Sequence, residues 1–271
     1  MTWYIEGGGN YVIKGETVFG RHILIPVEQA ESIRKRFKNK DVFATVFTYD
    51  NKDQSIANLY GPLYLDLDYN IKTENDYQKV KRDLLQVVTA LNTYYHVPFE
   101  LIRIYFSGSK GFHVMVDPEI FGIEPCKNLN EYFKIIATDL KKITLFKTID
   151  TGIYDRVRLF RFPNSINGKT GLYKVPVDYE FIRNSTYNSI IEYASQPRTI
   201  DYPEPKLVRK ASYKFREIIK KHKEEENRMS KSNGTFKGTT KGKLLPCIKE
   251  MLKTPGIANV NRNKMTVVMA S

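Results

Sequence analysis

The stretch Leu63-Tyr64-Leu65-Asp66-Leu67-Asp68-Tyr69 decides how this 271-residue chain is read. Side chains on a strand alternate between faces, so Asp66 and Asp68 point one way while Leu65 and Leu67 point into a core. Two carboxylates that close repel, and each raises the other's pKa unless a cation stands between them. A hard divalent ion with oxygen ligands is the natural candidate. The plainer reading is a solvent-facing strand with two acids for solubility, and a bare Asp-x-Asp does not decide between the two.

Outward from this strand the pattern alternates. On its N-terminal side lie a strand at Asp41 to Phe47 and a polar turn around Asn51-Lys52-Asp53. Before them, Val27 to Lys38 has helical spacing in Val27, Ala30, Ile33 and Phe37, with Arg34, Lys35, Arg36 and Lys38 as a solvated basic face. Residues 1–27 read as short strands broken by a turn at Gly7-Gly8-Gly9. On the C-terminal side Thr73, with Asp76 three residues on, caps a long helix whose buried stripe is Tyr77, Val80, Leu84, Val87, Val88 and Leu91. Strands follow at Leu101 to Phe106 and Phe112 to Val116, and Asn128 with Glu131 opens another helix. Strands and helices mixed in this way define an α/β (α+β) fold.

Two further stretches carry chemistry. Ser107-Gly108-Ser109-Lys110-Gly111-Phe112-His113 joins two strands. Its glycines let the backbone approach a ligand, and its Ser, Lys and His side chains offer donors suited to phosphate. The plainer reading is a hairpin turn whose Ser and Gly suit the bend. The other stretch runs from Ile149-Asp150 through Arg158, Arg161, Pro163 and Ser165 to Lys169-Thr170-Gly171. Arg158 and Arg161 lie three apart and on an ideal strand would face opposite sides, one gripping phosphate and the other bracing the site. Taken alone these are surface basic residues on a hairpin.

Charge agrees with a phosphate-bearing partner. There are 43 Lys and Arg against 30 Asp and Glu, a formal net charge of +13, which favours a polyanion such as nucleic acid. The 41% hydrophobic content supports a real core. Cys126 and Cys247 form no C-x-x-C pair, so neither a zinc knuckle nor a disulfide framework is indicated. No stretch approaches the ~20 apolar residues of a membrane span and no signal-peptide run opens the chain, so a cytoplasmic protein without membrane contact is expected. Beyond Ile190 the character changes: a helix from Leu207 to Met229 with Tyr213, Phe215, Ile218 and Ile219 as its apolar residues, then a Ser/Gly/Thr/Lys-rich linker from Ser230 to Lys243.

Together, Leu65-Asp66-Leu67-Asp68, Ser107 to His113, and Asp150 with Arg158, Arg161, Pro163, Ser165 and Lys169-Thr170-Gly171 resemble the three motifs of the archaeo-eukaryotic primase superfamily, in family order over roughly residues 1–200. The chain looks most like bacterial and plasmid primase-polymerases, including those associated with CRISPR loci. The resemblance implies a primase catalytic domain over residues 1–200 with an RNA-recognition-like sheet, a helical segment and linker over 201–243, and over 244–271 the truncated start of a primase large-subunit-like domain. It also implies two Mg²⁺ or Mn²⁺ ions held by Asp66, Asp68 and Asp150. Ser107, Lys110, His113, Arg158, Arg161 and Lys169 would hold nucleotide phosphates. The implied activity joins NTPs or dNTPs on a single-stranded DNA template and primer. No iron-sulfur cluster is expected, since only Cys247 of such a ligand set is present. The competing readings are a nucleic-acid-binding replication or repair module that no longer catalyses, and a metal-dependent nuclease.

Overall fold

The computed structural model describes residues 2–233, with side chains through residue 228. Residues 234–243 of the linker expected from Ser230, and the domain start expected over 244–271, lie outside the described residues. The chain begins with a hairpin of β1 (Tyr4–Ile13) and β2 (Glu16–Pro26), then α1 (Glu31–Arg36), β3 (Val42–Thr45), β4 (Thr48–Tyr49) and β5 (Leu59–Tyr60). Next come β6 (Leu63–Asp68), α2 (Glu74–Thr93), β7 (Ile102–Phe106), β8 (Gly111–Val116), α3 (Pro118–Phe121) and α4 (Leu129–Ile143). After these follow β9 (Leu159–Arg161), β10 (Val175–Val177), α5 (Tyr179–Asn184), α6 (Tyr187–Tyr193) and α7 (Arg209–Asn233).

Two antiparallel sheets result. One has the order β5-β4-β1-β3-β9 with β2 on β1, and the other the order β10-β7-β8-β6. At the β6 edge of the second sheet a short stretch adds itself. Leu67 bridges Ile149, the Asp68 N–H donates to the Thr148 carbonyl at 3.1 Å, and the Asp150 N–H donates to the Asp66 carbonyl at 2.8 Å. Counting it, β6, α2, β7, β8, α4 and 148–150 follow the split β-α-β-β-α-β order. Burial of Leu63, Leu65 and Leu67 anchors the sheet in the main core, where the α2 stripe Tyr77, Val80, Leu84, Val87, Val88 and Leu91 is buried as its spacing requires. Thr73 and Asp76 form the reciprocal capping box that starts α2. Asn128, by contrast, caps α4 with no side-chain bond.

The glycine turn expected at Gly7-Gly8-Gly9 is absent, and these residues lie inside β1. A Cβ at Gly7 would stand 2.4 Å from Ile33, and one at Gly9 2.6 Å from the Phe37 ring. The glycines therefore let β1 approach the segment carrying α1 at backbone distance, and the register shifts between them. The chain reverses instead at Lys14-Gly15, where φ is +50° and +87°. Positive φ at both central residues suits the twist of a two-residue hairpin turn.

A compact unit runs through Glu224, and Ala211, Phe215 and Ile219 of α7 are buried in its core. Tyr213, expected among the apolar residues of that helix, is instead exposed. The helix also continues past Ser230, where a linker was expected to begin.

Candidate active site

Asp66 and Asp68 project from β6 on one face, as their spacing demands. With Ser107, Ser109, Lys110, His113, Arg158 and Arg161 they line one cleft of about 240 Å³. Its floor is set by strand register: Asp66 lies opposite His113 and Asp68 opposite Gly111 across β6 and β8. A Cβ at Gly111 would meet the Leu67 carbonyl at 1.8 Å, so only glycine permits this approach beside Asp68. The Ser107–Gly111 loop closes on itself: the Ser107 N–H donates to the Gly111 carbonyl at 2.9 Å, and the Gly111 N–H donates to Ser107 Oγ at 3.2 Å. The Ser107 hydroxyl proton is left for the cleft.

Burial first, then the charges of Asp68 and Asp150, push the Asp66 carboxyl up to about 7. Asp150 thus belongs to the same electrostatic cluster, although its Oδ1 accepts the Gly152 N–H at 2.7 Å and it does not line the cleft. Among the described residues no three His, Cys, Asp or Glu side chains converge at metal-ligand spacing.

Both arginines line the cleft, against the expectation of opposite faces. Arg158 precedes β9, where strand alternation does not apply, and its guanidinium pairs with Asp155 at 2.7 Å and donates to the Ile153 carbonyl at 2.9 Å. Arg161 is the brace. It bonds Asp41 at 2.9 Å and the Ile166 carbonyl at 3.0 Å, and stands 4.8 Å over the Phe43 ring. Burial would raise Asp41, but the Gly168 N–H, Arg161 and Asn10 outweigh it and hold the carboxyl below its usual range. Lys169 does not line the cleft; its backbone N–H donates to Asn167 Oδ1 at 3.0 Å, and its side chain is exposed.

His113 is buried, stacks on Phe160 at 4.2 Å between ring centroids, and places Nε2 3.6 Å from Asp66 Oδ1. Burial, with Lys174 and Arg161 nearby, lowers its pKa well below the ordinary value, so it is neutral at pH 7 and offers a single N–H.

Two residues the sequence did not single out shape the site. Lys174 is buried, donates to the Arg161 carbonyl at 2.9 Å, and lies 5.4 Å over the Phe160 ring. Burial drives its pKa down to about 7 against the opposing pull of Asp66. The windows of the two groups meet there. Asp66, raised in the native state, contributes stability that is lost as pH rises from the ordinary carboxyl range through about 7. Lys174, depressed in the native state, contributes stability that is lost as pH falls from the ordinary amine range through about 7. These two groups together give a stability minimum near neutral pH, read by urea unfolding across pH. Asp66→Asn should remove the acid limb of that minimum. An acid limb unchanged in this variant rules the account out.

Asp83 is the other such residue. Fully buried on α2, it accepts the Phe146 N–H at 2.9 Å and both the Thr148 N–H and hydroxyl at 3.0 Å. It thereby ties the segment leading to Asp150 against the edge of β6. Asp83→Ala leaves two buried donors on Thr148 and the half-buried Phe146 N–H without an acceptor, each buried one worth roughly 1 kcal/mol or more, and should cost about 2–3 kcal/mol in urea unfolding. A loss under about 1 kcal/mol means the loop finds other acceptors. Nothing near Asp83 in the chain marks its role, since its partners lie more than sixty positions away.

A mixed α/β protein with two acids of one strand and several basic side chains around one cleft is the class that fold and site define. No family model matches the chain, and no curated protein matches it. Among solved structures it is similar to the polymerase domain from Mycobacterium tuberculosis Ligase D in complex with DNA, at 15% identity over 69% of each chain with a TM-score of 0.41, a distant likeness. Among the described residues no helix is long and apolar enough to cross a membrane.

Proposed function

We propose that the chain is a template-directed nucleotidyltransferase, a primase-polymerase of the archaeo-eukaryotic primase superfamily that joins NTPs or dNTPs on a single-stranded DNA template with two Mg²⁺ or Mn²⁺ ions. The observation that carries this reading is the meeting of Asp66 and Asp68 with Lys110, Arg158 and the Ser107–Ser109 loop around one cleft. The split β-α-β-β-α-β order, the order of an RNA-recognition-like sheet, supports it too.

The Asp66 and Asp68 carboxylates, on one face of β6 and both in the cleft, suit such ions. Carboxylate oxygens are hard ligands, and Mg²⁺ is ordinarily held by one or two carboxylates together with substrate phosphates rather than by an all-protein cage. Burial first and then the like charges of Asp68 and Asp150 raise the Asp66 carboxyl, and a cation beside it would offset both. In this reading Asp66, Asp68 and Asp150 hold the ions, which would lower the pKa of a 3′-hydroxyl and neutralise the triphosphate. Lys110, Arg158 and the Ser107 hydroxyl bind phosphate oxygens. The neutral His113 donates its one N–H, Asp155 orients Arg158, and Arg161 braces the wall through Asp41. No covalent nucleophile is needed, because phosphoryl transfer is served by positioning and charge neutralisation. Lys169 keeps a role only toward phosphate groups outside the cleft.

Incubation with a labelled primer–template, NTPs or dNTPs and Mn²⁺ tests the proposal. Primer growth that copies the template is the expected result. Shortening of the strands makes the chain a nuclease, and a gel shift without either makes it a binding module.

A further inference from the structure

We infer that the outward face of α7, with the end of α2, is a second binding surface for single-stranded nucleic acid, distinct from the cleft around Asp66. An α-helix turns about 100° per residue. Ala211, Phe215 and Ile219 face the core, with Phe215 set 5.1 Å from Phe121 and 6.3 Å from Phe133. Arg209, Lys210, Tyr213, Lys214 and Glu217 therefore fall on the other side. With His96 they line a shallow cleft of about 360 Å³ that shares no residue with the catalytic one.

The chemistry of this face is specific. Tyr213 is 73% exposed and Tyr94 49% exposed, so two flat rings stand in water on one surface. The Lys214 ammonium lies 3.9 Å over the Tyr94 ring and 3.2 Å from the Glu217 carboxylate. Arg209 and Lys210 pair with no carboxylate among the described residues. Glu217 thus offsets one cation of three, and the surface stays positive on a chain of net charge +13.

The exposed Tyr213 ring, with the Tyr94 ring that Lys214 covers on one face and the two cations Arg209 and Lys210 beside them, matches a ligand that alternates phosphates with exposed flat bases. A duplex keeps its bases stacked inside and offers the rings nothing. An acidic peptide offers charge without a flat partner. Single-stranded nucleic acid is the one class that satisfies both the cations and the rings. The inference needs no catalysis at Asp66, and it would stand if the chain proved to be only a binding protein.

The test measures binding of the full chain to a labelled oligothymidylate by fluorescence anisotropy over a range of salt. The variant Arg209→Gln/Lys210→Gln/Lys214→Gln changes two exposed side chains and one, Lys214, that is half-buried against Tyr94 and Glu217, so its urea unfolding is compared with wild type alongside the binding. It should bind at least tenfold more weakly at low salt. The slope of log affinity against log salt should fall in magnitude by about 2, from three lost phosphate contacts at ~0.7 each for a single strand. Tyr213→Ala should weaken binding about tenfold with the slope unchanged, because stacking releases no counterions, and Tyr213→Trp should keep the affinity. Affinity and slope equal to wild type in the triple variant overturn the inference. So does a duplex of the same length that competes as well as the single strand. Asp66→Asn serves as the reference: it should lose incorporation and keep this binding. If wild type shows no incorporation at all, the catalytic proposal fails while the anisotropy result still decides this one.

Discussion

Asp66→Asn should lower nucleotide incorporation by about a hundred- to a thousandfold, the scale on which removing one charge-stabilising group from a preorganised site acts. Asp68→Ala should do the same. Single-strand binding should change by less than about twofold in either variant, because affinity rests on Lys and Arg contacts to phosphates rather than on the carboxylates. The structure also separates lost chemistry from lost folding. Asp66 is partly buried beside Asp68 and Asp150, and its neutral form is the favoured one up to about pH 7. Asparagine mimics that neutral form. The variant should be at least as resistant to urea as wild type above neutral pH, where wild type must carry the repelling charge. Incorporation near the wild-type rate refutes the catalytic role of β6. A fall in activity with a parallel fall in stability would instead make these acids structural.

The acidic strand was legible because its information is local. Alternation over Leu63–Asp68 settles which side chains share a face, and that holds in any fold that buries Leu65 and Leu67. The capping box at Thr73 and Asp76 and the stripe of α2 are local in the same sense. The glycines at 7–9 mislead because a glycine that permits a turn and one that permits close packing look alike in sequence. Only Ile33 and Phe37, brought against β1 by the hairpin and α1, tell them apart. Arg158 and Arg161 share the cleft for a related reason: alternation separates them only within one strand, and Arg158 lies before the start of β9. Lys174 and Asp83 gave no warning at all. A buried lysine or aspartate is decided by what surrounds it, here Arg161, Phe160 and Asp66 for one and the 146–148 loop for the other.

The identity of the third acid produces the other large effect. Asp150 and Asp155 both precede the arginines in sequence, yet their surroundings differ. Asp150 is fixed by its own backbone, whose N–H donates to the Asp66 carbonyl at 2.8 Å, and its charge helps raise Asp66. Asp155 is spent locally: its carboxylate accepts the Val157 N–H at 3.1 Å and pairs with Arg158 at 2.7 Å. Asp150→Asn should therefore lower incorporation by about a hundredfold or more and raise the Mn²⁺ concentration needed for half-maximal rate. Asp155→Asn removes only a partner of Arg158 that is nearly half exposed, an interaction worth about 1 kcal/mol or less. It should raise the nucleotide KM by at most about fivefold and leave the Mn²⁺ requirement as it was. The Asp83→Ala variant supplies the link between these residues and the fold. By releasing the segment before Asp150 it should shift the Mn²⁺ requirement in the same direction as Asp150→Asn, and have no further effect on it when Asp150 is already asparagine. If Asp155→Asn proves the more damaging change and moves the Mn²⁺ requirement, the third acid is Asp155, and Arg158 must then release it when nucleotide binds.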